Sequence, residues 1–307
     1  MRRRELLGAA AAAVAATLAG PPPASAEAPS SPRQSDTTKG PKHHRLLDLD
    51  LGGDRRIGQR MTLLLPAKTA GPPPLLVLLH GLGETHDQKL GARAWVDRYG
   101  LSHAYDRLVD APVARLDRKH RYWSDEALAE VNAKLAAKAF RGLAIACPYT
   151  PNVHKSPLGR EVTLDRYRDW ILERVLPRAR KEAGLPDDAP TFLDGCSLGG
   201  YVAAELYLRA PERFQAWGSL QGALGQHRIG GYAERFAKVA RDHGPRPIHL
   251  ETSTEDVFRD VNRRFSKLLR EQGVDHQLTV LPGPHNQPFL RDSGTLTMLL
   301  WYDRLPR

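Results

Sequence analysis

Short apolar runs recur along the chain from about residue 45, and their spacing separates strands from helices. Arg45-Leu46-Leu47-Asp48-Leu49-Asp50-Leu51 alternates apolar and polar positions, the pattern of a strand buried on one face. Gly52-Gly53-Asp54 reads as a hairpin turn, and Gln59–Leu65 as the returning strand, ended by Pro66. Leu75–Leu79 is continuously apolar, the mark of a strand covered on both faces of a parallel sheet.

From there apolar strands alternate with helical patterns. Strands are predicted at Gly142–Cys147, Thr191–Gly195, Ala216–Leu220, Ile248–Thr252 and His276–Leu281. Helices are predicted at Thr163–Ala183, Tyr201–Arg209, Val257–Gln272 and Ser293–Asp303. Such alternation implies an α/β fold, a mostly parallel sheet with helices on both faces. Phe258, Val261, Phe265, Leu268 and Leu269 fall on one helical face, with Gly273 as the stop. One connection is oversized. About 84–141 is a long insert after the third strand, where about two to six residues would reach a helix. It holds Trp95, Tyr99, Tyr105, Tyr122 and Trp123, with a helix at Ala127–Phe140. It reads equally as a substrate-contacting element or as an aromatic-pinned structural elaboration.

The amino-terminal pattern belongs to none of this. Arg2-Arg3-Arg4 precede an apolar run from Leu6 to Ala19, and Ala24-Ser25-Ala26 is a small-x-small cleavage site. Residues 1–26 therefore read as a secretory signal peptide. The run is shorter than the roughly 20 residues needed to span a bilayer, so no stable membrane anchor is expected. Arg3-Arg4-Glu5-Leu6-Leu7 fits a twin-arginine export pattern, which places the protein in the periplasm or outside the cell. Residues 27–43 are polar and proline-rich, a disordered leader, which leaves 44–307 as one domain. Removing the signal's three arginines and one glutamate lowers the formal net charge from +10 to +8. The cations are scattered among acidic residues, so a solvated surface is expected and a nucleic-acid partner is not.

The candidate chemistry sits at Gly195-Cys196-Ser197-Leu198-Gly199. An apolar strand leads in and a helical pattern leads out, the strand–turn–helix context of a nucleophile elbow. The plain alternative is a glycine-rich turn that happens to hold a serine. A serine hydroxyl is a weak nucleophile and needs a base. Among the later histidines, His249 and His276 fall in or near strands, and His227 and His243 in helical or linking segments. His285 follows the last apolar strand, on a loop at a strand's carboxyl end. Asp256, after the preceding strand, is the expected acid, with Glu255 the second candidate and helix capping the alternative role. The oxyanion donors are expected to be the backbone N–H groups of Leu198 and of Leu82, in His80-Gly81-Leu82-Gly83. No cofactor and no metal ligand set are implied.

With these motifs in this order the chain resembles the α/β-hydrolase superfamily. Within it the chain looks most like the esterase branch that includes esterase D, feruloyl and acetylxylan esterases, and the mycolyltransferases. Besides the motifs above, Ala210-Pro211-Glu212-Arg213-Phe214, Gly218-Ser219-Leu220-Gln221-Gly222 and Pro282-Gly283-Pro284-His285-Asn286 carry the resemblance, which spans about 45–303. The long insert departs from compact members. The resemblance implies a Ser-His-Asp hydrolase that takes a small-molecule or carbohydrate-linked ester. Acyl transfer, peptidase activity and a non-catalytic binding role are the competing readings. The superfamily's sheet order places Leu75–Leu79 between the strands ending at Cys147 and Cys196. That puts the two roughly 10 Å apart, too far for a disulfide, so both are expected as free thiols.

Overall fold

A computed structural model describes residues 42–69, 71–116 and 122–307. The expected signal peptide and most of the polar leader lie outside the described residues. In chain order the described elements begin with β1 (His44–Asp50), β2 (Arg60–Pro66), β3 (Leu75–Leu79), α1 (Gln88–Asp97), α2 (Leu101–Val109), α3 (Asp125–Ala137) and β4 (Ala144–Pro148). Then come α4 (Arg160–Trp170), α5 (Leu176–Ala183), β5 (Thr191–Gly195), α6 (Leu198–Arg209), β6 (Ala216–Leu220) and α7 (Ile229–His243). The chain finishes with β7 (Ile248–Glu255), α8 (Arg259–Glu271), β8 (Gln277–Pro284), the single turn α9 (Gln287–Phe289) and α10 (Thr295–Arg304).

The strands form one sheet in the order β1-β2-β4-β3-β5-β6-β7-β8. β2 runs antiparallel to both β1 and β4, and every pairing from β4 to β8 is parallel. The unbroken apolar run of β3 is explained by what it faces. Leu76 and Leu78 point into a cluster with Trp95 of α1 and Tyr105 of α2. Leu75, Val77 and Leu79 point the other way, into a cluster with Leu164 of α4 and Val202 of α6. Each such leucine is fully buried and contributes roughly 2 kcal/mol. β3 lies between β4, which holds Cys147, and β5, which Cys196 directly follows, and both cysteines are free and buried.

Several elements differ from the sequence-based expectation. The β1–β2 connection is not a tight turn at Gly52-Gly53-Asp54. It runs through residues 51–59 and folds around Trp170, whose indole N–H donates to the Gly52 carbonyl at 3.1 Å. The helix expected at Thr163–Ala183 starts at Arg160 and widens into a π turn at Ile171–Val175. Pro177 follows in the first turn of α5 and offers no N–H to the preceding turn, the usual setting for such a widening. Among the described residues the stretch after β3 holds three α-helices, not one. Through Trp95, Tyr105 and Trp123, each no more than 1% exposed, it supplies a covering layer for one face of the sheet. α7 was not expected at all. β7 runs three residues further than predicted, so Asp256 follows the strand directly.

Candidate active site

Ser197 stands between β5 and α6 with φ 57° and ψ −116°. Only Ser197 and Gln221 combine a side chain with positive φ among the described residues. Such a conformation costs on the order of 1–3 kcal/mol and persists where neighbours enforce it. Here they do. The Ser197 N–H donates to the Leu220 carbonyl of β6 at 3.1 Å, and the Cys196 N–H to the Leu79 carbonyl of β3 at 3.0 Å. The strand and helix close so tightly that a Cβ on Gly195 would lie 2.3 Å from Gly199, and one on Gly199 would lie 2.1 Å from the Leu79 carbonyl oxygen. Both obstacles are backbone and cannot swing aside. Gly199→Ala is therefore expected to lose about 3 kcal/mol of stability or more, the upper end for overpacking. A thermal melt should read this as a drop in Tm of roughly 6–12 °C, and an unchanged Tm would refute the steric argument.

The expected base and acid meet this serine. His285 Nε2 lies 3.1 Å from Ser197 Oγ, and His285 Nδ1 lies 2.8 Å from Asp256 Oδ1. Asp256 also accepts from the Phe258 N–H on Oδ1 at 2.9 Å and from the Thr252 hydroxyl on Oδ2 at 2.6 Å. A carboxylate only accepts, so the proton of the neutral imidazole belongs on Nδ1, and Nε2 is left to accept from the serine hydroxyl. Asp256 is buried against His285, whereas Glu255 is exposed. The remaining candidates are placed elsewhere. His249 is stacked on Trp301 inside the sheet, and burial pushes its pKa down to about 3. The ring of His276 is bound to Ser266 and the Val274 carbonyl, while His227 and His243 are exposed.

Leu82 and Leu198 are each the first residue of a helical turn, so neither N–H has an acceptor within its own helix. The Leu82 loop is fixed from below. The Thr150 N–H donates to His80 Nε2 at 2.8 Å, which leaves His80 Nδ1–H to donate to the Gly81 carbonyl at 2.8 Å. Burial pushes the His80 pKa down to about 4, so the ring is neutral near pH 7. From above, Tyr99 Oη accepts the Gly81 N–H at 3.2 Å and donates to Glu84 Oε2 at 2.5 Å. A cleft of about 240 Å³ opens here, lined among others by Leu82, Tyr99, Ser197, Gln221, His285 and Leu290. A separate cavity of about 280 Å³, around His249 and Trp301, contains none of these groups.

No protein-family model matches the sequence, and no curated protein matches it either. Solved structures do. A ferulic acid esterase superposes with a TM-score of 0.61 at 18% identity, over 86% of this chain and 99% of that one. The S-formylglutathione hydrolase FrmB of Staphylococcus aureus gives 0.56 at 18% identity, over 86% and 99%. FphF, a fluorophosphonate-binding serine hydrolase of the same organism, gives 0.58 at 17% identity, over 86% and 100%. The chain has the α/β-hydrolase fold.

In this α/β-hydrolase fold, several residues at the site escaped sequence reasoning. Tyr99 and Glu84 fall in the stretch read as an insert, and nothing in their spacing marks Tyr99 as the partner of Gly81 and of Glu84. Asp194, directly beneath the elbow, is another. It is fully buried, and burial pushes its pKa up to about 8 despite the Gly195 N–H and Tyr302 hydroxyl beside it. Tyr302 Oη lies 3.0 Å from both Asp194 Oδ2 and the Leu193 carbonyl. One hydroxyl proton cannot serve both. A protonated Asp194 resolves this by donating to Tyr302, which then donates to Leu193. The sign of the linkage follows from the raised value. The folded state holds this proton more tightly than the unfolded chain, whose carboxyl titrates near 3.8. The stabilisation is complete below that pH and is lost as pH rises toward about 8. Asp194→Asn keeps the same shape and a donor toward Tyr302 without titrating. Melts between pH 5 and 8 should show a flatter decline in Tm for Asp194→Asn than for the parent, and parallel curves would count against a protonated Asp194.

The Cys196 thiol is buried between Asp194 and Ser197, and burial pushes its pKa well up, so it stays a thiol. Among the described residues no three His, Cys, Asp or Glu side chains form a metal ligand set, and no helix is long and apolar enough to cross a membrane.

Proposed function

We propose that the protein is a serine esterase that cleaves carboxylic esters through an acyl-enzyme. The observation that carries this reading is the unbroken line from Asp256 through His285 to Ser197 Oγ, at 2.8 and 3.1 Å, beside two helix-terminal N–H groups. In the proposed mechanism Ser197 Oγ attacks the ester carbonyl carbon while His285 Nε2 takes its proton. The carbonyl oxygen becomes an oxyanion that accepts from the N–H groups of Leu82 and Leu198. Each such donor lowers the barrier by about 3 kcal/mol. Asp256 stabilises the imidazolium. His285 then returns the proton to the leaving alkoxide, and the C–O bond to the alcohol breaks. Water, deprotonated by the same imidazole, releases the acid and restores Ser197.

Structural neighbours that are esterases or serine hydrolases support this choice of chemistry. The cleft supports a compact ester, since about 240 Å³ with Asn286 and Gln287 in its wall suits a polar substrate better than a long acyl chain. A carbohydrate-linked ester fits that description. Export by the twin-arginine route remains part of the proposal and rests on residues 1–26.

The test is covalent. A fluorophosphonate probe should label the protein, and peptide mass spectrometry should place the adduct on Ser197. No adduct, or one on another residue, overturns the reading. Hydrolysis of an aryl ester with and without an added alcohol then reads the acceptor: free acid as the main product supports hydrolysis, and transfer to the alcohol supports an acyltransferase.

A further inference from the structure

Gln221 is the second non-glycine residue with positive φ, at 50°, and it has no part in the chemistry proposed above. It directly follows β6 and is fully buried, yet it lines the same cleft as Ser197 and His285. Its backbone N–H donates to the Glu251 carbonyl of β7 at 2.6 Å. Its side-chain amide nitrogen has two protons, and both are used. One goes to Ser253 Oγ at 2.7 Å, on the strand that leads to Asp256. The other goes to the Pro284 carbonyl at 3.2 Å, the peptide unit from which His285 hangs. On its other side, the Ser197 N–H is bound to Leu220, and the Ala223 N–H to the Ser197 carbonyl, at 3.1 and 2.9 Å.

The side-chain carbonyl tells a complementary story. Gln221 Oε1 is buried and has no hydrogen-bond partner among the described residues. An unpaired buried acceptor and a left-handed backbone are both unfavourable, and they coincide in one residue. Packing alone would be served as well by an apolar side chain on a relaxed backbone. What only this residue supplies is an amide donor that reaches two loops at once.

From this we infer that Gln221 is a positioning residue, which sets the separation of His285 from Ser197 by holding the Pro284 carbonyl and the strand that leads to Asp256 to the end of β6. The inference rests on the Ser197–His285–Asp256 reading. The amide clamps the base loop to the segment that also carries both bonds to the Ser197 peptide. The 3.1 Å contact between His285 and Ser197 is thus fixed by β6 as well as by Asp256. Misplacement of a catalytic group by about 1 Å costs on the order of 100-fold in rate.

The experiment uses Gln221→Met, close in size and without donors, assayed in the full chain on an aryl ester. The expected result is a kcat lower by roughly 10- to 100-fold with KM within about twofold of the parent. The low-field proton resonance of the His285–Asp256 hydrogen bond should move or broaden in parallel. A merely structural residue would change Tm and leave both readouts alone in the folded fraction. A kcat within twofold of the parent and an unmoved resonance overturn the inference. Should Gln221→Met fail to fold, Ser253→Ala decides, since it removes one anchor of the amide: a drop in kcat at constant KM supports the clamp, and parent-like kinetics refute it. Ser197→Ala, run alongside, separates the two levels. If Ser197→Ala keeps its activity, the underlying reading has failed. If it is inactive while Gln221→Met matches the parent, only the role of Gln221 has failed.

Discussion

Ser197→Ala is expected to lower kcat on an ester substrate by about 10⁶-fold, close to 8 kcal/mol of barrier. The size follows from how the parts depend on one another. Without Oγ there is no attacking atom, so His285 and Asp256 have no proton to move and contribute nothing more. A residual rate of about 10³–10⁴ over water should persist, because the Leu82 and Leu198 N–H groups still face a carbonyl placed in the cleft. The substitution leaves the strained turn in place and removes only a hydroxyl, so the fold should hold and KM should change little. Initial-rate kinetics on an aryl ester, with circular dichroism as the control for folding, measure this. A folded Ser197→Ala that keeps a tenth of the parent's activity would end the serine-nucleophile proposal.

Asp256 gives the second large effect, and its surroundings predict a difference between two variants. Asp256→Ala removes the charge that stabilises the imidazolium and the acceptor that holds the Nδ1 proton, and should cost about 10⁴-fold in kcat. In Asp256→Asn the amide has a choice of orientation. The Phe258 N–H points at the oxygen that also faces His285, at 2.9 Å, and would oppose an NH₂ group there. The Thr252 hydroxyl, 2.6 Å from the other oxygen, can turn to accept. The carbonyl oxygen therefore stays on His285, the Nδ1–H tautomer is retained, and the loss is chiefly electrostatic, roughly 10²–10³-fold. Parallel kcat measurements on the two variants check this. Equal losses would show that the asparagine flips and traps the wrong tautomer.

What could be read from the sequence, and what could not, divides along physical lines. β3 was legible because a strand covered on both faces must be apolar throughout, and few other structures need that pattern. Ser197, His285 and Asp256 were legible because each sits where a strand ends in a polar or glycine-rich turn. α1 was hidden because its buried face is built from Gly91, Ala92, Ala94 and Trp95, too small and too interrupted to stand out against Lys89, Arg93 and Asp97. The π turn at Ile171–Val175 has only Pro177 beyond it as a local trace, since the residues within it are ordinary helix residues. Tyr99 meets Gly81 and Glu84 only through tertiary packing, since it lies well over ten residues from both. Gln221 was visible only as part of a motif, because glutamine carries no signal for a left-handed backbone. What remained hidden was the support of the site, which is made of tertiary contacts between residues that look unremarkable alone.

The bond between Tyr302 and Asp194 has a consequence for how the molecule is made. Asp194 leaves the ribosome more than a hundred residues before its partner, and His285 follows Ser197 by nearly ninety. A nascent chain that ends anywhere before α10 has its elbow strand synthesised, yet the carboxyl beneath the elbow has no hydroxyl to meet. Such an intermediate would hold Asp194 in contact with water, ionised, and the strand that carries it unable to settle. The contact beneath the elbow is therefore completed only when the last helix docks. A chain interrupted before residue 285 would carry Ser197 without His285.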